Sequence, residues 1–130
     1  MTADLNLSIL VVDDSSAMTR IIREMLRKLG YENVDVANGG KTALEKMRTK
    51  SFGLVISDWN MEPMTGYELL RHVRAGPGQI PFLMVTAEAH TENVLAAKKA
   101  GVNNFIVKPF SLLTLKVKID SVFAEKDRSL

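Results

Sequence analysis

VISDWNMEPMTG, residues 55–66, is an aliphatic run that stops at a single carboxylate, Asp58, and gives way to a polar loop carrying Trp59, Asn60, Pro63 and Gly66. A short, nearly continuous apolar run bounded by turn residues fits a strand covered on both faces. The carboxylate at its end is then aimed out of the core, beyond the carboxyl end of that strand. Working outward, the same pattern recurs in SILVVD (8–13), NVDVA (33–37), GLVISD (53–58), PFLMVT (81–86) and NFIVK (104–108). Four of these runs are almost unbroken in Ile, Leu, Val, Phe and Met, whereas NVDVA alternates, as an edge strand does.

Amphipathic stretches of helical period lie between the runs. Ser15 or Ser16 can cap the first, whose spacing predicts an inward stripe of Met18, Ile21, Met25 and Leu29, with Gly30 at its end. Asn38 and Gly39 open a second, facing Ala43, Leu44 and Met47 inward. Thr65 and Glu68 form a T-x-x-E capping box for a third that buries Leu69, Leu70 and Val73. A fourth runs from about Thr91 to Ala100 and stops at Gly101, and a fifth starts at Ser111 and buries Leu112, Leu115, Ile119 and Val122 or Phe123. Five strand–helix repeats with short connections predict an α/β fold, a doubly wound, five-stranded parallel sheet with five helices on its two faces. No linker, repeat or low-complexity segment interrupts the alternation, so residues 1–130 are expected to form a single domain without an output domain.

Composition agrees with one globular unit. At 130 residues, 46% hydrophobic and 25% charged, the chain can enclose a single core. The absence of cysteine excludes disulfides and thiolate metal sites. The opening MTADLNLSILVV has no basic segment before its apolar run, and that run is too short for a signal peptide or a membrane span. A cytoplasmic protein without membrane contact is therefore expected. A formal charge of +2 does not suggest nucleic acid. Residues 16–50 carry eight Lys/Arg against four Asp/Glu, and Arg20, Arg23 and Arg27 at helical spacing read as a solvated face, with an acidic partner as the alternative. The seven methionines sit mostly in apolar stripes and read as core filler.

In an open parallel sheet, ligands bind beyond the carboxyl ends of the strands. The groups at those ends here are Asp13 and Asp14 after the first run, Asp58 after the third, Thr86 after the fourth, and Lys108 followed by Pro109 after the fifth. Three carboxylates about 5 Å apart repel by about 3 kcal/mol per pair at an effective dielectric of about 20, so such a cluster calls for a cation. Oxygen ligands without His or Cys favour a hard divalent ion, and magnesium suits one or two carboxylates plus phosphate oxygens. Lys108 is a point charge suited to a phosphoryl oxygen, and Thr86 can donate a hydrogen bond to one. Asp58 then reads as a nucleophile that forms an acyl phosphate. Singly, each residue has an ordinary reading: Asp14 as a helix cap, Thr86 as a strand end, Lys108 as a surface lysine, Asn60 as a turn residue. Their joint occurrence, each at the end of its own strand, is what argues for a site.

The residues VVDDSS (11–16), VISDWNM (55–61), TAEA (86–89) and AGVNNFIVKPF (100–110) span essentially the whole chain, and in this combination it resembles the response-regulator receiver domains, in particular the stand-alone chemotaxis regulators of the CheY type. The resemblance implies a flavodoxin-like sheet in the order 2-1-3-4-5. It implies that Asp58 is the phosphoacceptor, receiving its phosphoryl group from a histidine kinase or a small phosphodonor with Mg2+ as cofactor. Asp14 matches the direct metal ligand, Asp58 belongs to the same metal set, Asp13 matches an acidic residue acting through water, and Asn60 the position whose backbone carbonyl completes the metal shell. Thr86 and Lys108 match the hydroxyl and the ammonium that engage the phosphoryl group, Phe105 the aromatic switch, and Lys108–Pro109 a cis peptide bond.

Implied partners are the kinase and a downstream protein, either a flagellar switch protein or a phosphotransfer protein, read by a monomer without nucleic acid. A relay intermediate or phosphate sink uses the same motif residues and stands as the alternative. An aspartyl-phosphate hydrolase of the haloacid dehalogenase kind expects a second Asp two residues after the nucleophile, where this chain has Asn60. The chain departs from the family at Glu62, where Pro is usual, at Thr65, where Asp is common, and at Phe105, which lacks the hydroxyl of the more frequent Tyr. The loop after Asp58 is accordingly expected to differ in shape, and the Phe105 ring to favour an inward position. On the fifth helix, Leu113 and Val117 form a second apolar stripe, a candidate docking patch beside the core one.

Overall fold

The computed structural model describes residues 4–87 and 91–128. Strands β1 (Ile9–Val12), β2 (Val34–Ala37), β3 (Leu54–Asp58), β4 (Phe82–Thr86) and β5 (Asn104–Val107) alternate with helices α1 (Ser16–Lys28), α2 (Gly40–Thr49), α3 (Gly66–Ala75), α4 (Thr91–Ala100) and α5 (Leu112–Arg128). All strand pairings are parallel, in the order β2-β1-β3-β4-β5. The architecture is the expected doubly wound sheet, with the alternating NVDVA run on one edge.

Alternate residues of the continuous runs supply two separate cores. Ile9, Val11, Leu54, Ile56, Leu83 and Val85 pack under α1 and α5 with Ile22, Leu26, Leu115 and Ile119. Leu10, Val12, Val55, Phe82 and Met84 face the other way, against Ala43 of α2 and Leu69, Leu70 and Val73 of α3. β1, β3 and β4 are buried at every residue and have no polar face to alternate, which is why their runs read as unbroken apolar segments. NFIVK, read the same way, is instead the other edge strand, with Ile106 its one buried residue.

The helix starts follow their capping chemistry. Ser15 caps α1, its side chain accepting from the Met18 amide. At α3 the reciprocal Thr65–Glu68 capping box is formed. The inward stripe of α1 differs from the one its spacing predicts. Thr19, Ile22 and Leu26 are buried, Met18, Met25 and Leu29 flank them, and Ile21 is 52% exposed. Adjacent isoleucines give two equally apolar stripes one residue apart, and packing against β1 and β2 selects the second.

Candidate functional site at the carboxyl rim of the sheet

Asp13 follows a strand with no exposed residue, and its amide donates to the Ala37 carbonyl, which extends the ladder one step past β1. Its side chain is buried. Oδ1 accepts from the Ser15 amide at 2.9 Å, while Oδ2 is buried without a partner. Burial pushes the Asp13 carboxyl above the usual carboxylate range, the Ser15 amide opposes that shift, and the neighbouring Asp58 adds to it. Asp14 is exposed and has no hydrogen bond or ion pair among the described residues. Because Ser15 caps α1, the ordinary capping explanation of Asp14 does not apply.

Asp58 ends β3 opposite Val85 of β4 and is only 4% exposed. Lys108 Nζ lies 2.8 Å from Asp58 Oδ1, a charge contact, since no donor is aligned on Oδ1 for a hydrogen bond. The Lys108 amide donates to the Thr86 carbonyl at 2.8 Å, so the end of β5 is pinned to the end of β4. Carboxylate oxygens of Asp13, Asp14 and Asp58 all come within 4.8 Å of one another. Three carboxylates against one ammonium leave two formal negative charges in excess. At this spacing each carboxylate pair costs about 3 kcal/mol at an effective dielectric of about 20. Two buried oxygens without a hydrogen bond, Asp13 Oδ2 and Asp58 Oδ1, the latter facing only the Lys108 ammonium, mark where a cation would recover that energy. The donor set is oxygen only and carries the charge of one dication, so it fits magnesium.

The loop after Asp58 is closed by backbone bonds. The Trp59 amide donates to the Val85 carbonyl and the Gly66 amide to the Trp59 carbonyl. Gly66 is required there, because a Cβ on it would overlap the Asp58 carbonyl oxygen. The sequence marks Gly66 as a loop residue but not its close approach to the Asp58 carbonyl, for which a Gly directly after a capping Thr, at the first position of a helix, is the available signal. Trp59 stacks on Tyr67 with centroids 5.6 Å apart, a second feature of the loop with no sequence signature. Asn60 is exposed. Lys108–Pro109 is cis as expected, and Glu62–Pro63 is cis as well.

Thr86 is buried at the end of β4. With Trp59, Met84, Asn93, Val94, Ala97 and Phe105 it lines a cavity of about 10 Å³, room for about one water. The Phe105 ring is half-buried against the α3 core, and Lys118 Nζ of α5 sits 5.3 Å from its centroid. Glu88 and Ala89, the end of the TAEA segment, lie outside the described residues. A larger groove of about 860 Å³ opens at the amino ends of β3 and β4, where Leu44, Met47, Phe52, Val73 and Ile80 contribute an apolar lining with no acidic side chain. The three clustered carboxylates and Lys108 lie apart from it, at the carboxyl rim. Among the described residues no helix is long and apolar enough to cross a membrane.

The profile of the response regulator receiver domain matches residues 9–120. Chemotaxis protein CheY-3 of Vibrio cholerae is 47% identical over 120 residues, 91% of this chain and 92% of the relative. Chemotaxis protein CheY of Pseudomonas aeruginosa is 47% identical over 119 residues, 90% and 96% of the two chains. Among solved structures, chemotaxis protein CheY4 of Vibrio cholerae superposes with a TM-score of 0.77 at 34% identity, covering 96% of this chain and 99% of that one. A response regulator receiver domain from Clostridium thermocellum gives 0.83 at 25% identity, covering 95% and 99%.

Proposed function

Because the chain belongs to the response regulator receiver domain family, with CheY chemotaxis proteins among its near relatives, we propose that it is a chemotaxis response regulator acting as a single receiver unit, switched by phosphorylation of Asp58. The observation that carries this reading is the crossing of charges at the rim: Asp13, Asp14 and Asp58 within 4.8 Å, and Lys108 at 2.8 Å from Asp58.

In this reading an Asp58 oxygen attacks the phosphorus of a phosphorylated histidine on the kinase. The new O–P bond replaces the P–N bond, and the departing imidazole takes up a proton. Asp14 and Asp58 would hold magnesium, with Asp13 acting through water and Asn60 through its backbone carbonyl. When bound, the ion offsets the charge of bringing one anion to another. Lys108 pairs with a phosphoryl oxygen, and Thr86 donates its hydroxyl to another. Lys108 then leaves Asp58 Oδ1 for the new oxygens, and a shift of Thr86 alters the space beside Phe105. That local charge change sets the population of the switch.

The message is read on α4, β5 and α5, where Leu95, Val107, Leu113 and Val117 are exposed. A flagellar switch protein fits as the reader, in the cytoplasm, with the chain as a monomer. The protein is a signalling module rather than a catalyst of turnover. The test is incubation with magnesium and a small phosphodonor, followed by mass spectrometry of the peptide containing Asp58. One labile phosphoryl group per chain is expected, absent in Asp58→Asn. Labelling that persists in the variant moves the acceptor elsewhere, and multiple turnover of a phosphomonoester favours a hydrolase.

A further inference from the structure

The spacing of Tyr67, Arg71 and Arg74 puts all three on one face of α3, and that face meets α4. With Ala75, Lys99 and Ala100 they line an open groove of about 460 Å³. Its three charged walls are cationic, and no acidic side chain lines it. Arg71 and Lys99 are exposed and have no hydrogen bond or ion pair among the described residues.

Arg74 is different, because it is fixed. Its Nε donates to the Gly101 carbonyl and its Nη2 to Asn103 Oδ1, both at 3.0 Å, while Nη1 is buried without a partner. Gly101 has φ +98°, and a Cβ there would press on the Arg74 side chain, so the turn after α4 is shaped around the guanidinium. Partial burial pushes the Arg74 pKa down, the mark of a cation whose lost hydration is not fully replaced.

Cations in the last turns of α3 and α4 also oppose the helix dipoles, a contribution of about 0.3–1 kcal/mol each. The dipole accounts for the sign of Arg74 and Lys99, not of Arg71. It does not account for their convergence on one concave strip or for an immobilised guanidinium with a free nitrogen.

We propose that the α3–α4 groove receives an acidic segment of a partner protein. The apolar part of the wall, Tyr67, Ala75 and Ala100, suits a peptide with aliphatic side chains between its acids. A net charge of only +2 and three clustered cations do not make the extended basic surface that a nucleic acid needs. Tyr67 stacks on Trp59, the residue after Asp58, so the groove touches the acceptor loop. The dependence of this contact on phosphorylation rests on the receiver reading above; the binding itself does not.

The probe is a short synthetic peptide alternating Glu with Leu, set against its Gln-for-Glu counterpart, inorganic phosphate and a short single-stranded DNA. Binding is followed by amide shifts and by emission of Trp59, the sole tryptophan. The expected result is shifts centred on 67–75 and 98–101, a change in Trp59 emission, and no binding of the Gln peptide. The double substitution Arg71→Gln, Lys99→Gln weakens the peptide about tenfold, while Arg23→Gln, Arg27→Gln on α1, with the same loss of charge, changes it less than about twofold. All four side chains are exposed, so both variants fold. Equal weakening in the two variants, shifts scattered over other basic surfaces, or phosphate or DNA competing as well as the peptide overturns the proposal. Asp58→Asn retains peptide binding. If Asp58 is never labelled while the groove still binds, the receiver reading fails and the groove stands; if labelling succeeds and the groove stays empty, the reverse holds.

Discussion

The two halves of the sheet's carboxyl rim are built to different standards. β1 and β3 are buried at every residue and flanked on both sides, and the carboxylates of Asp13 and Asp58 that follow or end them are buried too. β5 has a neighbour on one side only; Ile106 is its one buried residue, Val107 is exposed and Phe105 half-buried. In a close-packed interior a side chain moves only if its neighbours do. The carboxylates therefore sit on the inner strands, and of the two residues proposed to respond, Thr86 ends the buried inner strand β4 while Phe105 sits at the border, where a new rotamer disturbs few contacts. Lys108 is the exception, a border residue whose charge reaches into the fixed half.

The contrast can be broken or sharpened by substitution. The largest effect is expected at Gly66, where any side chain meets the Asp58 carbonyl and Met84 from behind. Gly66→Val should cost about 3 kcal/mol in urea unfolding, and a loss below about 1 kcal/mol would mean that the end of β3 is not held rigidly. Next is Lys108→Met, which leaves Asp58 buried without a counter-charge. The Lys108 side chain is 25% exposed, so the loss should be about 2 kcal/mol, below that of a fully buried pair, and saturating magnesium should return part of it.

Asp13→Asn should stabilise the metal-free protein by about 1 kcal/mol, because a desolvated carboxylate whose pKa is raised by burial is removed. The same change should weaken magnesium at least about tenfold in calorimetry. A variant that loses stability without the metal would show that the Ser15 amide outweighs the burial of Asp13. The smallest effect belongs to the border: Phe105→Tyr should alter unfolding by less than about 0.5 kcal/mol while changing partner affinity between the two phosphorylation states. Unchanged affinity in both states would remove the inward bias ascribed to the missing hydroxyl.

Much of this was legible before any coordinates. The strand runs, the Thr65 capping box and the strand-end position of each site residue follow from local chemistry, which a sequence states directly. What was not legible depends on choices between near-equal alternatives or on the path of a loop. Ile21 and Ile22 offer α1 two stripes, and only packing against the sheet selects Ile22. The Trp59–Tyr67 stack and the contact of Gly66 with Asp58 depend on how residues 59–66 fold back, which no period encodes. The Arg74 clamp joins residues 27 and 29 positions apart in the chain. The rim's charge balance was foreseeable as a list of groups; that Lys108 would touch Asp58 was not.

The ammonium facing Asp58 arrives from a residue synthesised 50 positions later, counting from 58 to 108. A nascent chain that has delivered its acids but not its final strand therefore carries a repulsive, unbalanced pocket, and any fragment ending before β5 lacks the counter-charge. The phosphorylation proposed for Asp58 would in this way be tied to completion of the fold, because only a chain that includes β5 carries the Lys108 ammonium.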